Sequence, residues 1–292
     1  MQYLNSSLTL LKSAALLTLN QFLAVLGIFF LFGLVLFLLA RFTRNTFIRS
    51  VGFQADIFWT GWIGTPVHEL GHAVFCILFG HRITEMRLFK PDSRDGSLGY
   101  VNHSFNSRNL YHRVGNLFIG AGPIIIGSLV LYAAMYFFAP SKQVIQGVLA
   151  APHASITGVE NILTPLSLIV RSGQEMIVHL WLAVEISSWK FWVFLYLSIS
   201  IASHMELSPD DIKGMWSGLV TLLIILFMIN LAALPLSFDV NSYILKASNY
   251  TGMLVGLFIF AVIVSTVNFI LVFVTLSFWS ALRHGKLINP VW

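Results

Sequence analysis

From residue 8 to residue 40 the chain carries no charged or amide side chain other than Lys12, Asn20 and Gln21, and the stretch ends only at Arg41 and Arg44. About 20 apolar helical residues cross the hydrocarbon core of a bilayer, about 30 Å thick. This run is longer than that, and longer than the apolar core of a secretory signal peptide, which would also end in a small-residue cleavage site. It reads as an uncleaved spanning helix. Further apolar runs follow at 57–80, 114–139, 189–203, 212–234 and 251–282. The whole chain is 57% hydrophobic and 10% charged, against about 45–50% and 25% for a soluble domain. That excludes an ordinary soluble globule, and it also excludes a disordered chain, which needs low hydrophobicity and high net charge. The expected fold is an all-α polytopic membrane protein of about six transmembrane helices, built as one domain over 1–292. The net charge of +5 falls mostly between apolar runs, as it does in loops near anionic lipid, so the expected partner is the lipid bilayer and not nucleic acid. The single cysteine, Cys76, allows neither an internal disulfide nor a cysteine-rich zinc module.

Two segments break the helical pattern. Alternating residues at 83–89 and 98–103 flank a turn-forming stretch, Pro91 to Gly96, which predicts a small β-hairpin insertion over about 81–105, after the second helix. Residues 140–188 mix short apolar pieces with Pro152, Pro165, Arg171, Glu175 and Glu185 and are expected to form interfacial or re-entrant helices. In the third run, Gly120, Gly122 and Pro123 mark a close helix contact or a local break.

The second run holds the chemistry. His68, Glu69 and His72 form a His-Glu-x-x-His pattern in its middle. Residues four apart on a helix lie about 40° apart around its axis, so both imidazoles point to one side and can hold one metal ion. Zinc suits such a site, which needs three protein ligands and an exchangeable water whose proton Glu69 can accept. Ionisable groups in a spanning segment are costly and mark a functional site with a partner. The third ligand must come from elsewhere. Asp211 is favoured, with Asp210 and His204 as alternatives; His204 could instead donate to a developing oxyanion. Ser208, Pro209 and Asp211 also make a good helix start, and a carboxylate so held is preorganised as a ligand. Glu206 is expected to be solvated, Cys76 to be inert packing, and His81, His103, His112, His153, His179 and His284 to be surface groups.

The order of these elements resembles the site-2 protease family of intramembrane zinc metalloproteases. The resemblance rests on His68 to His72 inside a span, a polar β-rich insertion after it, Gly122-Pro123 in the next span, and Pro209 to Asp211. The family usually has glycine directly after the aspartate, whereas here Ile212 follows Asp211 and Gly214 comes three later. The similarity covers about 57–234. It implies hydrolysis of a peptide bond in a membrane-protein or peptide substrate, with zinc on His68, His72 and Asp211 and Glu69 as general base; the composition gives the expected location, multi-pass in a bacterial cytoplasmic membrane. Two competing readings of the same residues are a membrane metal or proton transporter and a catalytically silent zinc-binding membrane protein. Against the transporter, no internal repeat is visible and the last span carries no matching set of polar residues.

Overall fold

The computed structural model describes residues 2–91, 98–139, 141–149, 163–248, 252–285 and 288–290. Helix α1 (Gln2–Phe22) passes through one π turn (Leu23–Gly27) into α2 (Ile28–Ser50), so the first apolar run is a single long helix that also takes in Arg41 and Arg44. Gly52, in the left-handed region at φ 93°, ends it with its amide on the Phe47 carbonyl. A short α3 (Phe53–Asp56) and a second π turn (Ile57–Gly61) lead into α4 (Trp62–Leu78). Strands β1 (Arg82–Arg87) and β2 (Tyr100–Ser104) follow, then α5 (Leu110–Phe138), α6 (Lys142–Leu149), α7 (Leu163–Leu182), α8 (Trp189–Ala202), α9 (Pro209–Ala233), α10 (Val240–Ser248) and α11 (Gly252–His284).

Among the described residues, four helical segments are long and apolar enough to cross a membrane: 7–50, 110–138, 209–233 and 253–283. Helix α8 is apolar but shorter. The hairpin forms where the alternation placed it, as an antiparallel pair in which Ile83 faces His103 and Glu85 faces Asn102, with one irregularity between them. Its expected turn falls largely on residues 92–97, outside the described residues. Over 140–188 the described parts are the helices α6 and α7; residues 150–162 lie outside them.

Helix α5 lies at the centre, in contact with α4, α6, α8, α9 and α11. Its Leu117, Ile124, Leu131 and Met135 are almost fully buried in one cluster with Phe32 and Leu36 of α2 and Phe260 of α11. Helix α4 is built inside out by the standard of a soluble helix. It buries Thr65, Glu69 and His72 while Leu70, Ile77 and Leu78 are 41%, 71% and 57% exposed. That arrangement is stable where the surroundings are apolar and the polar groups pair inside. The same logic accounts for Gln21 in the first run. Its side-chain amide exchanges hydrogen bonds with Asn230 of α9 at 3.2 and 2.8 Å, and Asn230 also donates to Thr18 at 3.0 Å. This satisfied polar knot ties α1 to α9, each such bond contributing about 0.6 kcal/mol between membrane helices.

Candidate metal centre

Helix α4 ends in a Schellman turn: the Gly80 amide donates to the Ile77 carbonyl and the His81 amide to that of Cys76. Gly80 takes the left-handed conformation this requires, at φ 68°. The turn reverses the chain, and the hairpin runs back along α4 instead of away from it. Leu98 reaches Gly61, and a Cβ placed on Gly99 would lie 2.7 Å from Cγ of Glu69. The hairpin therefore roofs the middle of α4, where the two histidines lie.

Their rings are held by main-chain carbonyls from two other elements. His68 Nδ1 donates to the His204 carbonyl at 2.7 Å, and His72 Nδ1 donates to the Ile119 carbonyl of α5 at 2.8 Å. With Nδ1 carrying the hydrogen, each ring turns its Nε2 towards the other, and the two Nε2 atoms stand 3.2 Å apart. Asp211 meets them from the first turn of α9, with Oδ1 3.1 Å from His72 Nε2 and Oδ2 3.7 Å from His68 Nε2. The two Nε2 atoms and the carboxylate offer a cation three ligand atoms within 4.8 Å of one another. Ligands about 2.0–2.2 Å from a tetrahedral zinc are about 3.3 Å from each other, so the observed spacings fit that ion. Imidazoles oriented by carbonyls through their far nitrogen are also the usual outer arrangement of metal-binding histidines. Among the described residues, His68, His72 and Asp211 are the one group of this kind.

Asp211 is fixed by the helix it begins. Ser208 is the N-cap, its Oγ accepting from the Asp211 amide at 3.1 Å, and Asp211 Oδ2 accepts from the Ser208 amide at 2.8 Å. Pro209 fills the first helical position, where its missing N–H costs nothing. Asp210 turns away: its side chain is 89% exposed and pairs with Lys213 at 3.0 Å. His204 does not join the group by its ring, which packs where a Cβ on Gly64 would otherwise be. Its Nδ1 donates to the Ser200 carbonyl at 3.2 Å, so in this tautomer Nε2 is an acceptor and not an oxyanion donor. What His204 supplies to the centre is its backbone carbonyl.

Glu69 is 7% exposed and lines a cavity of about 700 Å³ together with His68, His72, Asp211, Asn116 and residues 98–103 of the hairpin. Glu206 corrects the expectation of a solvated side chain. Its side chain is 12% exposed and sits beside Arg44 of α2, which donates to Oε1 at 3.2 Å and faces Asp56 Oδ2 at 3.4 Å. An ionisable residue at the end of a membrane-length run needs a partner, and Arg44 and Glu206 were each other's; the sequence signal was present but offered no spacing to pair them. His81 is buried, at 5% exposure. Its Nε2 donates to the His112 carbonyl at 2.8 Å and its Nδ1 meets His103 Nδ1 at 3.0 Å. Burial lowers the pKa of both His81 and His103. Cys76 is fully buried, and His153 lies outside the described residues.

Comparisons of the chain with protein-family models, with curated proteins and with solved structures found no match in any of the three.

Proposed function

We propose that this chain is an intramembrane zinc metalloprotease of the kind the site-2 protease resemblance implies. The observation that carries the reading is the convergence of His68 Nε2, His72 Nε2 and an Asp211 oxygen beside a buried Glu69 in one cavity. Zinc, when bound there, supplies a Lewis acid and acidifies a coordinated water towards pKa about 7. Glu69 accepts a proton and returns it to the leaving amine nitrogen, a role worth about 10²–10⁴ in rate. His68 and His72 hold their position through the His204 and Ile119 carbonyls. A helical substrate hides its carbonyls, so it must bind extended. Strand β2 pairs with β1 on one side, and its residues 100–103 line the cavity, where its other edge, unpaired by any strand among the described residues, can pair with an extended peptide backbone.

Six crossings are proposed, with α4 extended by the π turn before it and the short α8 joining the four long segments. The polar hairpin and the link 203–208 let water reach a site set among apolar helices. The test is to incubate proteoliposomes of the pure protein with a panel of single-span peptides and follow fragments by mass spectrometry. Cleavage that stops with a chelator and returns with zinc is expected. Absence of any cut, or cutting indifferent to the chelator, overturns the reading.

A further inference from the structure

Pro123 sits inside α5. Proline has no amide hydrogen, so the carbonyl four residues before it loses its partner in the helix ladder. That carbonyl belongs to Ile119, and it is the one that accepts from His72 Nδ1 at 2.8 Å. Ile119 is 4% exposed, so bulk water is not at hand to take the place of the missing N–H. The residue before the proline completes the arrangement: a Cβ on Gly122 would lie 2.4 Å from the Gly71 carbonyl oxygen and 3.1 Å from the His72 amide nitrogen. Glycine lets α4 come close enough for the ring to reach α5, and proline leaves an acceptor for it there.

We propose that Pro123 is a positioning residue for His72: by withholding an amide hydrogen it reserves the Ile119 carbonyl for His72 Nδ1, which sets the tautomer and aims Nε2 at Asp211 and His68. The inference rests on the metal reading above and assigns no contact between Pro123 and the ion. It differs from a proline that only bends α5 in the sign of its consequences. An alanine at 123 restores the N–H and so strengthens the helix while competing for the carbonyl that His72 uses.

The experiment uses the full chain in detergent, stripped of metal and titrated with Co²⁺, for wild type, Pro123→Ala and Pro123→Ser. Wild type is expected to bind one Co²⁺ with the visible absorption of a tetrahedral site. Both variants are expected to bind about 10–100-fold more weakly, the loss typical when a ligand's orienting partner is removed, and to show altered absorption. Their metal-free melting temperatures should equal or exceed that of wild type. Unchanged affinity and spectrum in both variants overturns the proposal, and so does a loss of affinity that only tracks a lower melting temperature. If neither variant folds, ¹⁵N resonances of the imidazoles in metal-free wild type decide: a His72 ring protonated at Nδ1 supports the proposal, and a mixture of tautomers sinks it. Wild type that binds no Co²⁺ overturns the metal reading instead, and the same resonances still report on the His72 hydrogen bond.

Discussion

Asp211 Oδ1 stands 3.1 Å from His72 Nε2 while the other oxygen of the same carboxylate accepts from the Ser208 amide at the start of α9. One side chain thus joins a helix cap to the histidine pair, and its neighbour Asp210 does neither. Asp211→Ala is expected to lose metal binding by about 100-fold or more, since it removes one of three protein ligands, and to cost about 0.3–1 kcal/mol in helix stability. Asp210→Ala is expected to retain full metal content. Elemental analysis of the two purified proteins checks this, and equal losses would contradict the assignment.

Glu69→Gln keeps the shape of the side chain and removes its basicity. Zinc content should stay at the wild-type level while turnover falls about 10²–10⁴-fold. The measurement is fragment yield per bound zinc; a variant as fast as wild type would show that Glu69 handles no proton in the rate-limiting step.

Arg44 and Glu206 lie in the wall of the same cavity, and Glu206 sits in the link whose His204 carbonyl holds His68. Arg44→Met and Glu206→Gln are each expected to lower the melting temperature. In a double-mutant cycle the pair should show a coupling of about 1–2 kcal/mol, moderated by the 37% exposure of the Arg44 side chain. Additive effects in thermal denaturation would mean that the pair is not coupled.

The motif and its partner residue were legible in the sequence because each obeys a local rule. His68 and His72 have helical spacing, and Ser208, Pro209 and Asp211 spell a helix start. The hairpin announced itself by alternation. What could not be read was its direction, because the reversal at Gly80 sends it back over Glu69 and no local pattern encodes where a hairpin lies. Glu206 and His81 were misjudged for a related reason. Both stand in polar stretches, and what draws them out of solvent, Arg44 of α2 for the one and the hairpin and the α5 terminus for the other, is brought near only by the assembled fold. Arg44 itself looked like the end of a spanning run.

His81 and His103 meet at the base of the hairpin, near His112 and with His72 further along the cavity. Burial holds the folded pKa of both below the unfolded value of about 6.5, so the unfolded hairpin binds more protons at acidic pH. Stability is then full above about pH 6.5 and falls as pH drops below it. Hydrogen exchange of the β1 and β2 amides between pH 7.5 and 5.5 should show protection lost on acidification. His103→Gln should flatten that dependence; an equally steep profile in the variant would place its origin elsewhere.

A Cβ on Gly120 would lie 2.0 Å from Met215 Cγ and 2.9 Å from the Asp211 carbonyl oxygen of α9, as the one on Gly122 would collide with α4. Gly122→Val should therefore cost about 1–3 kcal/mol by overpacking, read as a lower melting temperature, and should loosen zinc binding with it; a variant as stable as wild type would show that the contact has slack.

Through Gly120 and Gly122, α5 offers α9 and α4 bare main chain on opposite sides, so the spacing between the helices that carry Asp211 and the two histidines is set by one polypeptide backbone. That strip works as a gauge block. It adds no side chain to the site, yet it sets the tolerance to which His72 and Asp211 are placed, and a single methyl group there would act as a wedge between residues that are themselves untouched.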